Sequence, residues 1–139
     1  MRQETVKLRS MSIAVAISLE YLVRELGDPQ TRIYERLYRQ HPEVQALFVL
    51  DADGGVRGSM LQTTLETILD YSAKGRLDHV SLGAWRSHHL AYEVDAELFT
   101  RFFIIIRDCA KDALGGDWST EMESAWQDLL LQVRASEAA

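Results

Sequence analysis

Cysteine is nearly missing from this chain. Cys109 stands alone, which excludes an internal disulfide and any CxxC-type zinc or redox motif. Proline is almost as scarce, with only Pro29 and Pro42, each placed where a helix can begin rather than inside one. Basic charge is also short. Lys and Arg number 15 against 21 Asp and Glu, a formal net charge of −6. That balance argues against nucleic acid as a partner, because phosphate recognition needs a basic face. Long hydrophobic runs are missing too: Ser10 to Leu19 is the longest uncharged stretch, about half of a membrane span. Arg2, Lys7 and Arg9 ahead of it superficially resemble a targeting signal. Glu20 bounds the stretch, however, and the apolar pattern runs on through Leu22, Val23 and Leu26. The expectation is a buried first helix in a cytoplasmic protein that makes no membrane contact.

What the chain does have is helical periodicity. Leu8, Met11, Val15, Leu19, Leu22 and Leu26 share one helix face, and Gly27-Asp28 ends it, with Asp28 placed to cap the next helix. Ile33, Leu37 and Tyr38 give the second helix its apolar side. Pro42 to Leu47 reads as a short helical turn ending at Phe48. Asp51-Ala52-Asp53-Gly54-Gly55 is a loop, after which Leu61, Leu65, Ile68 and Leu69 mark a helix to about Tyr71. Leu82, Trp85 and His89 share a face of a shorter helix. Asp95 is placed to cap a long one carrying Phe99, Phe102, Phe103 and Ile106, stopped by Gly115-Gly116. Thr120 with Glu123 predicts a capping box for the last helix, through Trp126, Leu130 and Val133. The apolar runs Ala46–Leu50 and Phe102–Ile106 are continuous rather than alternating, so they fit helix or loop better than strand. The fold class is all-α, about seven helices in one domain over residues 1–139, with 1–4 and 135–139 expected to fray. Taken alone, the stripes are ordinary core packing.

Three segments in order resemble the bacterial globin family, both single-domain haemoglobins and the globin domain of flavohaemoglobins. Tyr34, Pro42 and Phe48 match the family's distal tyrosine, its helix-corner proline and the phenylalanine that packs on haem, while Ile33 departs from the usual aromatic. His89 with Val94 five residues later is similar to the proximal segment, and Gly115-Gly116-Asp117-Trp118 with Ala125-Trp126 resembles the start of the last helix. The resemblance covers about Leu8 to Val133. It implies a globin fold around haem b, with His89 as the iron ligand. Phe48, Leu61, Leu65, Ile68, Trp85, Val94, Phe99, Phe102 and Ile106 become candidate haem-lining residues. An apolar slot and a neutral imidazole are what such a group requires.

Four histidines compete for the iron. The step to Val94 selects His89; His88, about 100° away on a helix, is not expected to face the same pocket. His41 precedes Pro42 at a helix corner, and His79 lies in a connection. On the distal side the resemblance makes Tyr34 a hydrogen-bond donor to bound O2. It puts Arg57 at the gate position, where relatives carry Gln or His; Val56 and Gly58 stay open as alternatives because the glycine loop leaves the register uncertain by one residue. No distal-helix histidine is there to form a six-coordinate pair with His89. Phe99 stands ten residues after His89, where bacterial globins often place a tyrosine, and cannot make that residue's hydrogen bond. The expected function is reversible binding of a diatomic gas, O2, NO or CO, for storage, transport or scavenging. Two alternatives remain: a regulatory module that signals through protein contacts, and an NO dioxygenase served by a separate reductase, since the flavin and nicotinamide domains of flavohaemoglobins have no counterpart in these residues. Either a monomer or a homodimer is compatible with the pattern.

Overall fold

A computed structural model of the protein describes residues 2–92 and 94–136, with side chains from residue 11 onward. The side chain of Leu8 and residues 137–139 of the expected frayed tail lie outside the described residues. Six α-helices and two 3-10 segments follow in order, with no strand among the described residues. They are α1 (Arg2–Leu26), α2 (Gln30–Gln40), a 3-10 segment (Pro42–Phe48), α3 (Gly55–Lys74), α4 (His79–Leu90), α5 (Ala96–Leu114), a second 3-10 segment (Gly115–Asp117) and α6 (Thr120–Ala135). The all-α expectation is met, and neither apolar run is a strand: Ala46–Phe48 belongs to the first 3-10 segment with Val49 and Leu50 in the turn after it, and Phe102–Ile106 lies inside α5.

The element ends follow local chemistry. Asp28 accepts from the Gln30 N–H at 3.0 Å, taking the first orphan donor of α2 as its sequence position suggests. Asp95 Oδ1 accepts from Leu98 N at 2.7 Å to open α5. Gly75 closes α3 at φ 77°, ψ 6°, the left-handed conformation that glycine adopts cheaply. Two caps differ from expectation. Gly115 has positive φ but ψ −119°, so α5 ends outside the left-handed helical region and tightens into a 3-10 turn. Ser119, one residue before Thr120, caps α6 by accepting from Met122 N. Glu123 instead takes the Trp118 indole N–H at 2.6 Å, which draws its carboxyl below the ordinary carboxylate range. The indole competes better for that carboxylate than a backbone amide one turn away.

α1 packs against α3, α5 and α6, and the core lies where these four meet. Val15, Leu19 and Leu22 supply the buried stripe of α1, against Ile68 and Tyr71 of α3, Ile105 and Ile106 of α5, and Trp126 and Leu129 of α6. Three polar contacts fix the register inside this apolar mass. Ser12 Oγ donates to the Ser72 carbonyl at 2.8 Å, and Ser72 Oγ donates back to the Ser12 carbonyl at 2.6 Å. The fully buried Trp126 donates its indole N–H to Ser18 Oγ at 2.8 Å. Small residues allow the α1 and α3 backbones to approach, and each hydroxyl is satisfied by the other residue's backbone carbonyl. α2, the first 3-10 segment and α4 sit beside this scaffold and leave a cleft between them.

Candidate functional site

α4 forms one wall of the cleft. Asp78 caps it, accepting from Val80 N and Ser81 N, and the helix buries only Leu82 and Arg86. Near its end, His89 Nδ1 lies 3.0 Å from the carbonyl oxygen of Trp85, one turn back. A carbonyl can only accept, so Nδ1 carries a proton, and in the neutral imidazole the lone pair is then on Nε2. The ring is held edge-on by Trp85 at 5.5 Å and Phe99 at 5.4 Å between centroids. The amides of Tyr92 and Val94 both donate to the His89 carbonyl at 3.0 Å, turning the chain so that Val94 comes back over the cleft.

The opposite wall is built from α2, the first 3-10 segment and the start of α3. Tyr34, 3% exposed, packs on Phe48 and Phe102 with ring centroids 5.7 and 5.5 Å apart. Its hydroxyl donates to the backbone carbonyl of Arg57 at 2.9 Å. Burial pushes the phenol above its usual pKa, so it stays a neutral donor. The Arg57 side chain turns to Asp51: Nε donates to Oδ2 at 3.0 Å and Nη2 to the Asp51 carbonyl at 2.8 Å. Asp51 also accepts from the amides of Val56 and Arg57, closing the first turn of α3. These bonds, led by the Val56 amide, hold its carboxyl below the ordinary value of 3.8.

Between the walls lie an inner space of about 50 Å³ and an outer cleft of about 610 Å³, which share Leu47, Phe48, Met60, Trp85, His89 and Val94. Tyr34, Phe99 and Phe102 line the inner part, so seven of the residues singled out in the sequence meet at one place. The others do not. Leu61, at 4% exposure, and Ile106 are in the packed core, and Leu65 packs against it; Met60 and Thr64 present the lining face of α3. The face is turned by one residue because α3 starts at Gly55 and commits Leu61 and Ile68 to the core. Ile106 sits one turn deeper on α5 than the cleft reaches. Arg57 is fastened to Asp51 rather than aimed into the cleft, while Val56 lies at its mouth. A second correction concerns His88. It reaches the rim of the outer cleft beside Tyr92, 5.3 Å between ring centroids, because the cleft wraps around the end of α4. His41 pairs with Glu43 at 3.5 Å, and His79 is exposed at the start of α4.

Reading the sequence misses Arg86. A helical arginine reads as solvated, yet the fact that it stands four residues after Leu82, on the face shared with His89, is a signal for burial. Asp51 is missed because turn formers surround it.

A helical sandwich whose cleft offers one free imidazole nitrogen against apolar walls defines a protein that can seat a flat apolar cofactor by a single axial bond. The chain belongs to the globin family: the Globin family pattern matches residues 31–136. No match was found among curated proteins or among solved structures. Haem is the group this family implies, and the residues present fit it. The outer cleft falls within the roughly 300–1,000 Å³ common for small-molecule sites. Its walls are largely aromatic and aliphatic, and the tautomer of His89 that its hydrogen bond imposes is the one a metal needs. Among the described residues, no helix is long and apolar enough to cross a membrane.

Proposed function

We propose that this globin holds haem b through His89 Nε2 and binds a diatomic gas, O2 or NO, reversibly for storage, transport or scavenging. Bound haem would supply an iron with one coordination position open to such a ligand. The observation that carries the reading is the His89 Nδ1–Trp85 carbonyl bond, which leaves Nε2 the one unprotonated nitrogen of a ring that already lines both parts of the cleft. Phe48, Trp85, Val94, Phe99 and Phe102 exclude water from the slot. Tyr34 is the distal polar group. Its single O–H is already given to the Arg57 carbonyl, so to reach a gas ligand the phenol has to turn from one acceptor to another. Discrimination in favour of O2 over CO is therefore expected to be modest.

Titrating the purified protein with haemin and recording the absorption spectrum tests the reading. A Soret band saturating at one haem per chain, with a reversible shift on adding CO to the reduced protein, is the expected result. Absence of a saturable band would overturn it and leave the protein-contact signalling module as the reading to pursue.

A further inference from the structure

α4 is an unusual wall on which to hang an axial ligand. Its fully buried side chains are one leucine and one arginine. Its other apolar contacts are the edge-on packing of the partly buried Trp85 on Phe99 and Phe103, at 5.1 and 6.3 Å between centroids, and of His89 on Phe99. Its polar attachment to the neighbouring helices passes through Arg86, 7% exposed, whose guanidinium fans out over α5 and the end of α6. Nη1 donates to the Ala96 carbonyl at 2.7 Å, at the start of α5. Nη2 donates to the Val133 carbonyl at 2.8 Å and to Thr100 Oγ1 at 3.2 Å. Nε and Nη2 both donate to Ser136 Oγ, at 3.2 and 3.0 Å. Ser136 is itself buried, its hydroxyl donating to the Val133 carbonyl at 2.6 Å just past the end of α6. The guanidinium carbon lies 4.6 Å from the centroid of Phe99, and that ring touches the imidazole of His89.

From this arrangement we propose that Arg86 is the positioning residue of the ligand-bearing helix, keying α4 to α5 and to the end of α6, and so fixing where the His89 imidazole stands. The statement about the helix needs no cofactor; the extension to an iron–histidine bond rests on the haem reading above. A planar fork with five donors suits acceptors spread over two helices and a cap, and a lysine ammonium, a point donor, cannot reach them together. The linkage also bridges α4 to a residue 50 positions further along the chain, where sequence proximity contributes nothing. Phe99 gives a second route: it touches both the guanidinium and the imidazole, so displacement of one bears on the other.

Amide hydrogen exchange on the haem-free protein tests the helix claim. Arg86→Met, which keeps the length and apolar stem, is expected to speed exchange across residues 79–90 by about tenfold or more, with α1 and α3 nearly unchanged. Arg86→Lys should restore only part of the protection. Unchanged exchange in α4, or equal acceleration in every helix, would overturn the proposal, the latter showing a merely structural role. Should Arg86→Met fail to fold, Ser136→Ala carries the test, because the guanidinium keeps its bonds to Ala96, Thr100 and Val133; the same local pattern, about threefold in size, is expected, and no local change overturns the proposal. On reduced haem-loaded protein, the iron–histidine stretching frequency should shift in Arg86→Met with His89 intact. A wild type that takes up no haem would defeat the proposed function and leave the exchange result to decide this one.

Discussion

The two walls of the cleft spend their polar groups in opposite ways. On the α4 side, hydrogen bonds are used to orient: Nδ1 of His89 is tied down and Nε2 is left free, while Arg86 anchors the helix from behind. On the α2–α3 side, hydrogen bonds are used to close. The phenol of Tyr34 goes to a backbone carbonyl, and Arg57 and Asp51 satisfy each other and the first turn of α3. One wall therefore presents a lone pair, while the other presents Phe48, Leu47 and Met60 with only small hydroxyls, Ser59 and Thr63, and the already engaged Asp51 among them. If the proposed haem reading holds, such a site would hold its cofactor by one bond and select its gas ligand weakly.

The largest effect that would break the comparison is expected at His89. His89→Gly should lose haem retention altogether, and millimolar imidazole, a free copy of the missing side chain, should restore the Soret band; His88→Ala should leave retention close to wild type. Retention in His89→Gly without imidazole would move the ligand elsewhere. Next in size is the face of α3. Leu61→Ala should destabilise the haem-free protein by about 2–4 kcal/mol, as large-to-small changes in packed cores do, whereas Met60→Ala, at the cleft, should cost clearly less. Urea denaturation of both variants reads the difference, and equal losses would erase the register assigned to that wall.

A smaller effect is expected at Tyr34. Turning the phenol from the Arg57 carbonyl to O2 exchanges a neutral hydrogen bond for a charge-assisted one, a net gain of about 1 kcal/mol. Tyr34→Phe should then speed O2 dissociation by about fivefold and leave CO dissociation unchanged, measured by stopped flow; a change of a hundredfold would mean that the phenol is dedicated to the gas. The smallest effect is a pH dependence. Asp51 has a lowered pKa in the folded state, so its contribution to stability is fully present above 3.8 and is lost as pH falls through that lowered value. Thermal melts of wild type and Asp51→Asn should converge in acid and separate toward neutrality. A constant gap at every pH would remove the carboxylate from the closing network.

Helix periods and caps made most of the fold legible in the sequence, because the apolar stripes of α1, α5 and α6 repeat at a helical interval and are the faces that pack. Positions tied to one another by short chain spacing were legible as well: Tyr34 to Phe48 runs from mid-α2 through the 3-10 segment that follows it, and His89 to Val94 spans one turn. What failed were relations set by partners remote in sequence. The face of α3 depends on where the helix starts after Asp53-Gly54, and one residue of difference turns Leu61 away and Met60 in. Arg86 is buried only because Ser136, Val133 and Thr100 arrive around it from two other helices. The use of Arg57 was equally hidden, since a loop carboxylate six positions earlier claims it before any pocket can.

Helix α1 finds its buried polar partners late in the chain: Ser72, 60 residues beyond Ser12, and Trp126, 108 residues beyond Ser18. Closing loops of that length is entropically costly and slows assembly relative to contacts between neighbouring helices. Burying Trp126 among the other helices before α1 arrives would leave its indole N–H short of its partner, as burying Ser72 would leave its hydroxyl, a penalty of roughly 1–3 kcal/mol each time. Partial dockings are thereby disfavoured, and α1 joins both helices in a single cooperative event. Helix α1 is thus held back in folding until α6, more than ninety residues further along, has been made.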